Sequence, residues 1–515
     1  MYRTKIMILF TYSNNSLSLQ PAEFRITQPC FNCSIISMKQ HPLPSPLIAI
    51  MPVVVLIILV ALSLVLFGVD ALSGASQMSL LAAAGFALLL GRFTIPFHWS
   101  DFEKQLHRNF KNISSALIIL LIIGALSATW MLSGVVPLFI VYGMKLIHPA
   151  VFLLAACVIS AVVSVLTGSS WTTIATVGLA LLGIGKALGF AEGWIAGAIV
   201  SGAYFGDKIS PLSDTTVLAS SVTGTPLFTH IRYMLNTTIP SFAITLLLYA
   251  LAGWLAPSSG SGAATHYEEI LTRRFVLSPW LLLVPLLTTL MIIRRWPALV
   301  TLFLSMLLAL GAAVVFQPGL IREIGSRGGG PELELLRGAF YSTFGSTALE
   351  TGNAEVNELV ATRGMQGMLN TVWIILCATT FGAAMAATRM IESITVFLIR
   401  RIHSVIGLVS STVATGVLAN LTMGDQYLGL ILTGNIYKEL YEKRGFESKL
   451  LSRSMEDSVT VTSALIPWNS CGMTQSTVLG VATLAYFPFA FFNYLSPVMS
   501  VVVAGIIGRR RTQDL

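Results

Sequence analysis

Long apolar segments separated by short polar ones run along almost the whole chain after its first 45 residues. Most are close to the roughly 20 residues that an α-helix needs to cross the hydrocarbon core of a bilayer. The pattern therefore predicts an all-α polytopic membrane protein. The predicted spans are 46–68, 77–95, 113–136, 149–167, 170–189, 193–222, 233–255, 277–294, 297–317, 368–388, 404–421, 426–437, 458–483 and 484–507.

Two predicted spans are interrupted by polar residues together with glycine and proline. The first contains "GAYFGDKISPLSDTTVLAS", with Gly206 and Pro211, and the second contains "IPWNSCGMTQST", with Pro467 and Gly472. Proline removes a backbone N–H donor, and unpaired backbone at membrane depth is tolerated only where it lines a cavity or binds something. Each interruption therefore predicts a broken helix. Its first half-helix offers carbonyls suited to a cation, and its second offers an N-terminus suited to an anion.

The sequence also repeats itself weakly, with one nearly constant spacing. The matches are "LTGSSWTTIATVG" with "LTMGDQYLGLILTG", "DTTVLASSVT" with "QSTVLGVAT", and "IHPAV" with "IHSVI". Their starting residues, such as Ile147 and Ile402, lie 255 to 261 positions apart. The spacing predicts two repeated halves, 46–256 and 277–508, an arrangement common in secondary transporters.

Composition and loop charge add an orientation to this plan. Only 10% of the residues are charged and 55% are hydrophobic, whereas soluble proteins carry about 25% charged residues. If the basic loops are cytoplasmic, the positive-inside rule requires 149–189 and 404–437 to enter and leave on one side as helical hairpins. Each half then has an odd number of crossings, which predicts inverted repeats. The remaining segments are a tail at 1–45, disordered or non-native, a linker at 257–276, an acidic external loop at 318–367 and a basic cytoplasmic tail at 509–515.

Three carboxylates are predicted at membrane depth, namely Asp207, Asp214 and Asp425, whereas the other 20 Asp and Glu residues fall in the tail, in loops or near predicted helix ends. A charge at the bilayer centre costs at least about 2.5 kcal/mol, so retained charges there indicate function. Asp214 is expected either to cap the second half-helix or to join the site. Lys208 is expected either to neutralise a carboxylate or to anchor the first break to a neighbour.

The broken helices and hairpin tips also supply uncharged oxygens. Any one of these hydroxyls has the alternative of bonding only its own backbone or a neighbouring helix. Asp207 and Asp425 are the candidate Na⁺ ligands, and further ion-binding or coupling candidates are Asp214, Ser210, Thr215, Thr216, Gly168, Ser169, Ser170, Thr172, Asn469, Ser470, Gln475 and Thr477.

Four sequence blocks in a fixed order resemble the NhaC-type sodium/proton antiporters. They are "LTGSSWTTIATVG", "GAYFGDKISPLSDTTVLAS", "GDQYLGLILTG" and "LSRSMEDSVTVTSALIPWNSCG", and the resemblance covers about residues 113–508. It implies a Na⁺/H⁺ exchanger of the bacterial inner membrane; the cytoplasmic location predicted for both chain termini comes from the charge of the loops. It also implies the inverted-repeat ion-transporter architecture, in a group that includes malate/lactate antiporters.

The leading prediction is a secondary antiporter that exchanges Na⁺ or Li⁺ for H⁺ at a buried carboxylate able to hold either ion but not both. An organic-anion exchanger of the malate/lactate type is the alternative, and an intramembrane aspartyl protease is a third, since "FGDK" and "MGDQ" superficially suit an aspartate dyad. No enzyme activity, cofactor or nucleic-acid partner is expected. Small carboxylates and a second copy of the chain stay open as partners besides the ions and the bilayer.

Overall fold

The computed structural model describes residues 43–68, 71, 74–255, 262–326, 330–400, 402 and 404–513, so residues 1–42 of the predicted tail lie outside the described part. Within these ranges all regular structure is helical apart from one isolated bridge between Thr347 and Thr362. Eight helices are long and apolar enough to cross a membrane, or ten if two sharply bent helix pairs each count as one span. The prediction of an all-α polytopic membrane protein is confirmed, whereas the inversion of the repeats stays a prediction.

The described part of the first half contains ten α-helices. They are α1 (Pro46–Phe67), α2 (Ala75–Thr94), α3 (Trp99–Leu132), α4 (Val135–Leu146), α5 (Phe152–Thr167), α6 (Ser170–Thr173), α7 (Leu179–Ala187), α8 (Glu192–Ile209), α9 (Asp214–Thr223) and α10 (Leu227–Leu255). A π-helical turn, Ile174–Gly178, joins α6 to α7.

The remainder of the described chain contains fourteen helices. They are α11 (Gly262–Arg274), α12 (Leu283–Ile293), α13 (Ala298–Phe316), α14 (Pro318–Gly325), α15 (Glu334–Phe344), α16 (Ala354–Val360), α17 (Leu369–Ala387), α18 (Met390–Arg400), α19 (Val405–Met423), α20 (Gln426–Lys443), α21 (Ser448–Met455), α22 (Ser470–Leu479), α23 (Thr483–Tyr486) and α24 (Phe491–Gln513). A second π-helical turn, Glu456–Thr460, continues α21.

Several helix bounds differ from the predicted spans, and two differences in the extent of helix have a clear physical reason. Helix α3 begins at Trp99 and has 34 residues, because the polar stretch before the apolar run is itself amphipathic and helical. At 1.5 Å per residue it is about 50 Å long, well beyond the hydrocarbon thickness of about 30 Å. The acidic segment 318–367 is not a simple loop, since α14, α15 and α16 lie within it.

Both predicted hairpins form, and each turns at a glycine. Gly168 (φ +66°) ends α5, and Gly424 (φ +65°) ends α19. This left-handed conformation favours glycine and closes a helix C-terminus. The next residue then caps the following helix: Ser169 accepts from the backbone N–H of Thr172, and Asp425 accepts from those of Tyr427 and Leu428. Glycine followed by a capping side chain thus builds both hairpin tips.

Candidate functional site

The first broken helix is interrupted at residues 210–213, between α8 and α9. Pro211 lies in this break, and Ser213 caps α9 by accepting a hydrogen bond from the backbone N–H of Thr216. The Thr216 hydroxyl donates to the carbonyl of Lys208 at 2.9 Å, so α9 satisfies part of the open end of α8. The break is therefore an ordered element whose polar groups bond one another, in keeping with the demands of membrane depth.

Asp207 lies in the last turn of α8 and is only 5% exposed. Its Oδ2 accepts two hydrogen bonds from Ser170 of the first hairpin tip, from the backbone N–H at 3.1 Å and from the hydroxyl at 2.7 Å. Gly168 contacts the break directly, because a Cβ there would lie 2.6 Å from Cβ of Leu212. The hairpin tip thus closes over the broken helix beside a buried carboxylate.

The other candidates near the first break have mainly structural hydrogen bonds. Ser210 donates to the carbonyl of Val165, which ties the break to α5. The remaining hydroxyls pair locally: Thr215 with Ser213 at 3.0 Å, and Thr172 with Ser169 at 3.1 Å. These bonds fix the shape of the tip and the break, and a part for these hydroxyls in ion binding stays a prediction.

Asp425 is fully buried and caps α20 in the second hairpin tip. Its Oδ1 accepts from the backbone N–H groups of Tyr427 and Leu428, and its Oδ2 accepts from the Ser470 hydroxyl at 2.9 Å. The Ser470 N–H donates to the carbonyl of Gly424, so the second tip is also bonded to a broken helix. Asn469 caps α22 and donates to the carbonyl of Asn420 in α19.

Two predicted ion-binding residues of α22, Gln475 and Thr477, contact different neighbours. Gln475 donates to the hydroxyl of Tyr204 at 3.1 Å, which links α22 to α8 of the first half. Thr477 hydrogen-bonds Thr371 of α17 at 2.5 Å and is not bonded to either aspartate. Gln475 therefore lies where the two broken helices meet, and Thr477 lies against a supporting helix.

The backbone repeats at one spacing, 256 residues. Three pairs of left-handed glycines keep it, Gly168 with Gly424, Gly189 with Gly445, and Gly224 with Gly480. The prolines of the breaks, Pro211 and Pro467, also keep it. The 261-residue match of Asp214 with Gln475 was five residues out of register, since α9 and α22 are both 10-residue helices that begin at Asp214 and Ser470.

The three predicted aspartates are near enough to the second tip for their charges to act on Tyr427. Asp207, Asp214 and Asp425 all interact electrostatically with Tyr427. Elements of the two halves also pack across one another, α6 against α22 and α9 against α20. The structure thus brings both tips and both breaks into a single region, and none of its described contacts pairs Asp207 with Asp425.

Of the two roles expected for Asp214, the structure does not show capping of α9, and a part in the site stays a prediction. Asp214 is the first residue of α9, it is exposed, and Ser213 rather than Asp214 is the cap. The count of three deep carboxylates was too small, because Glu456 and Asp457 are fully buried. They lie inside a helical segment that begins ten residues before the predicted start of that span, at Ser448.

A buried charge cluster lies beside the first break, and sequence reasoning missed it. The Lys208 ammonium pairs with Asp457 and also donates to the Ser496 hydroxyl at 2.8 Å. Thr237 donates to Asp457 at 3.0 Å, and Arg453 lies 3.7 Å from its other oxygen. Lys208, Arg453 and Asp457 are all fully buried. Of the two roles expected for Lys208, the contacts are those of an anchor between the halves.

The repeat itself contained a signal for the missed residues. At the observed spacing, Glu456 and Asp457 are equivalent to Val200 and Ser201, which lie in the middle of α8. A polar stretch such as "LSRSMEDS" looks like the end of a span when it is taken alone. Alignment with the apolar first half would have placed both carboxylates at membrane depth.

Comparisons with known proteins agree with the resemblance of the four sequence blocks. A model of the Na⁺/H⁺ antiporter family matches residues 2–217 and 202–508. The chain is 34% identical over 430 residues to the Na(+)/H(+) antiporter NhaC of Alkalihalophilus pseudofirmus, which covers 83% of this chain and 90% of that protein.

Two further relatives carry names with other substrates. One is the Malate-2H(+)/Na(+)-lactate antiporter of Bacillus subtilis, 31% identical over 451 residues, 87% of this chain and 93% of that protein. The other is the Arginine/ornithine antiporter ArcD of Halobacterium salinarum, 33% identical over 464 residues, 89% of this chain and 91% of that protein. All three names are those of antiporters rather than enzymes.

Proposed function

Because this chain belongs to the Na⁺/H⁺ antiporter family, we propose that it exchanges Na⁺ or Li⁺ for H⁺ across a bacterial inner membrane. The observation that carries the proposal is Asp207, a carboxylate buried where a hairpin tip meets a broken helix. Backbone carbonyls and a half-helix C-terminus at such a break are groups that coordinate Na⁺ in secondary transporters. Both chain termini are assigned to the cytoplasm on the charge of the loops.

In the proposed cycle, Asp207 holds either Na⁺ or a proton. Ser170 positions the carboxylate through its N–H and its hydroxyl, and the same hydroxyl oxygen is a potential Na⁺ ligand. The ammonium of Lys208 is occupied by Asp457, so it does not take the place of Na⁺ at Asp207. Movement of the hairpin tip relative to the break then exposes the carboxylate to one side of the membrane at a time.

Asp425 is the second candidate carboxylate of the same exchange. It lies in the other tip and is held by Ser470 of the other broken helix. Its Oδ1 is engaged in capping α20, which leaves its Oδ2 as the oxygen nearer to the second break. Asp425 therefore serves either as a second ligand of Na⁺ or as a proton site coupled to Asp207 through the region around Tyr427.

A pH-gradient assay in everted membrane vesicles tests the proposed function. Vesicles are energised so that their lumen becomes acidic, and fluorescence dequenching is followed after addition of Na⁺, Li⁺, K⁺ and malate in turn. We expect dequenching with Na⁺ and Li⁺ that is absent from vesicles lacking the protein. Dequenching with malate alone, and none with Na⁺, would refute Na⁺/H⁺ exchange.

Organic-anion exchange is the second candidate function, and one observation favours it. Arg453 is a fully buried guanidinium that lies 3.7 Å from Asp457 but whose three nitrogens have no hydrogen-bond partner among the described residues, and a guanidinium fork suits a carboxylate. A relative named for malate and lactate exchange makes such a substrate plausible in chemical terms. Uptake of labelled malate into proteoliposomes, driven by an outward lactate gradient, distinguishes this function from exchange of Na⁺ for H⁺.

A further inference from the structure

Glu456 is a buried carboxyl group that the exchange described above does not use. It is the first residue of the π-helical turn Glu456–Thr460, and none of its surface is exposed. Neither of its carboxylate oxygens has a hydrogen-bond partner in the described part of the chain. Its neighbour Asp457, by contrast, bonds Lys208, Thr237 and Ser496. The two adjacent carboxylates therefore differ, because Asp457 has hydrogen bonds at Oδ1, although none at Oδ2, whereas Glu456 has none at either oxygen among the described residues.

An ionised carboxylate without a partner is very costly at membrane depth, because water has been removed and no protein donor replaces it. A bound proton removes that charge and leaves a neutral carboxyl group. The hydroxyl of Thr460, at the other end of the same π-helical turn, is buried and interacts with the Glu456 carboxyl group, although no hydrogen bond of standard geometry joins the two. π-helical turns inside α-helices are rare and occur frequently at functional sites.

The charged groups that act on Glu456 are Lys208, Asp207 and Asp457. The ammonium of Lys208 is engaged by Asp457 and Ser496, and the guanidinium of Arg453, one turn before Glu456 on α21, lies 3.7 Å from Asp457, so no described cation forms an ion pair with Glu456. Besides α8 and α21, four helices pack against the π-helical turn, namely α9, α19, α20 and α24. Helix α19 has no charged residue, and the one charged residue of α9 is Asp214 at its start. The charged residues of α20 lie in segment 438–443, and those of α24 lie in segment 509–511.

We propose that Glu456 is a proton-carrying carboxyl group of the exchange cycle, distinct from the carboxylates at which Na⁺ binds. This inference rests on the proposed Na⁺/H⁺ exchange. No hydrogen bond joins Glu456 to Asp207, but the two carboxyl groups interact electrostatically. While Asp207 is negative, it opposes ionisation of Glu456, and Na⁺ at Asp207 removes that opposition. Na⁺ that binds the ionised Asp207 therefore favours release of the Glu456 proton, COOH to COO⁻ and H⁺, whereas Na⁺ that replaces a proton on Asp207 leaves the charge there unchanged and does not.

The ratio of H⁺ to Na⁺ moved by the full-length protein tests this coupling. It is obtained in proteoliposomes from the membrane potential at which a fixed Na⁺ gradient produces no net flux. Glu456→Gln keeps the shape of the side chain but cannot release a proton. We expect the variant to move one H⁺ fewer for each Na⁺, with apparent Na⁺ affinity at alkaline pH within about twofold of the unmodified protein.

Glu447→Gln is the matched control, because Glu447 precedes the same helix, has a side chain that is 73% exposed and pairs with Lys449. It should keep the ratio of the unmodified protein. An unchanged ratio in Glu456→Gln overturns the proposal. So does a tenfold or greater loss of Na⁺ affinity in that variant, since Glu456 would then be a Na⁺ ligand.

An infrared measurement decides the protonation state without transport. The absorption of a protonated carboxyl group should be present in the unmodified protein, lost in Glu456→Gln and kept in Glu456→Asp. If Glu456→Gln inserts without transporting, or fails to fold, the infrared band of Glu456→Asp, compared with that of the unmodified protein, still tests whether position 456 holds a proton. A spectrum unchanged by substitution at position 456 overturns the proposal. Absence of Na⁺/H⁺ exchange in the unmodified protein would refute the proposed function instead, and the infrared comparison would stand separately.

Discussion

The two buried aspartates occupy different positions in the two repeated halves. At the observed spacing, Asp207 is equivalent to Ser463, and Asp425 is equivalent to Ser169. Both Asp207 and Ser463 bond the hairpin tip of their own half, since Ser463 donates weakly to Gln426 at 3.4 Å. The scaffold of contacts is thus repeated, whereas the charges are not. We infer that the two aspartates have different roles in one site rather than equal roles in two.

Asp207→Asn and Asp425→Asn should each abolish Na⁺-driven H⁺ movement, because an amide can neither bind a proton in exchange for Na⁺ nor balance its charge. Each variant should insert and express normally, since asparagine is close in shape to aspartate. Asp101→Asn is the control, because Asp101 is an exposed aspartate near the start of α3. Normal exchange in either site variant would remove that residue from the proposed mechanism.

Lys208→Met should destabilise the protein strongly, because it leaves Asp457 buried next to a partner that cannot neutralise it. Removal of one partner of a buried ion pair costs about 3–5 kcal/mol. The double variant Lys208→Met, Asp457→Asn should recover part of this loss, since both charges are then absent. Thermal unfolding in detergent measures both effects. A double variant less stable than Lys208→Met alone would contradict the anchoring role of this pair.

At the scale of elements, the hairpin tips depend on glycine for two separate reasons. Gly168 has a left-handed backbone and also lies against the first break. Gly480 has a similar φ of +69°. A Cβ added at Gly480, however, would lie more than 4 Å from every described heavy atom outside its own helix end. Comparison of alanine substitutions at the two glycines therefore separates the free-energy cost of backbone strain, present at both, from the cost of a collision with Leu212, present only at Gly168. Strain alone is about 1–2 kcal/mol.

Gly168→Ala should therefore reduce stability and transport much more than Gly480→Ala. Its new Cβ would meet the side chain and the backbone of Leu212 at 2.6 to 2.9 Å, so the tip must move away from the break beside Asp207. We expect at least a tenfold loss of transport rate for Gly168→Ala and a small effect for Gly480→Ala. Equal effects of the two substitutions would mean that the contact of the tip with the break does not matter.

Local sequence was sufficient for the elements that local chemistry determines. Proline, glycine and polar side chains at membrane depth predicted both breaks. The hairpins were predicted instead from the distribution of loop charge, and the structure shows that glycine with a capping side chain forms their tips. The buried state of Asp457 was not predictable in this way, because its partner Lys208 is 249 residues distant along the chain. The residues just before Asp457, "LSRSME", are mostly polar and follow a basic loop, so the local pattern indicates the end of a span.

At the scale of the whole molecule, the inversion of the repeats can be tested at equivalent positions. Ala191 and Glu447 are 256 residues apart, and both are exposed at the start of a broken helix. In a protein without native cysteines, a cysteine at 191 should react with a membrane-impermeant thiol reagent added to the periplasmic side. A cysteine at 447 should react only from the cytoplasmic side. Labelling of both positions from one side would show that the repeats are parallel.

The central claim concerns the whole transport cycle, namely that Na⁺ and H⁺ compete for one buried carboxylate. The most direct test is the apparent Na⁺ affinity of the unmodified protein measured across a range of pH. Competition predicts that protons displace Na⁺ as the pH falls, so that the affinity decreases about tenfold for each pH unit below the pKa of the carboxylate, which is about 1.36 kcal/mol per unit. An apparent Na⁺ affinity that stays constant across that range would contradict the shared carboxylate, whichever aspartate holds the ion.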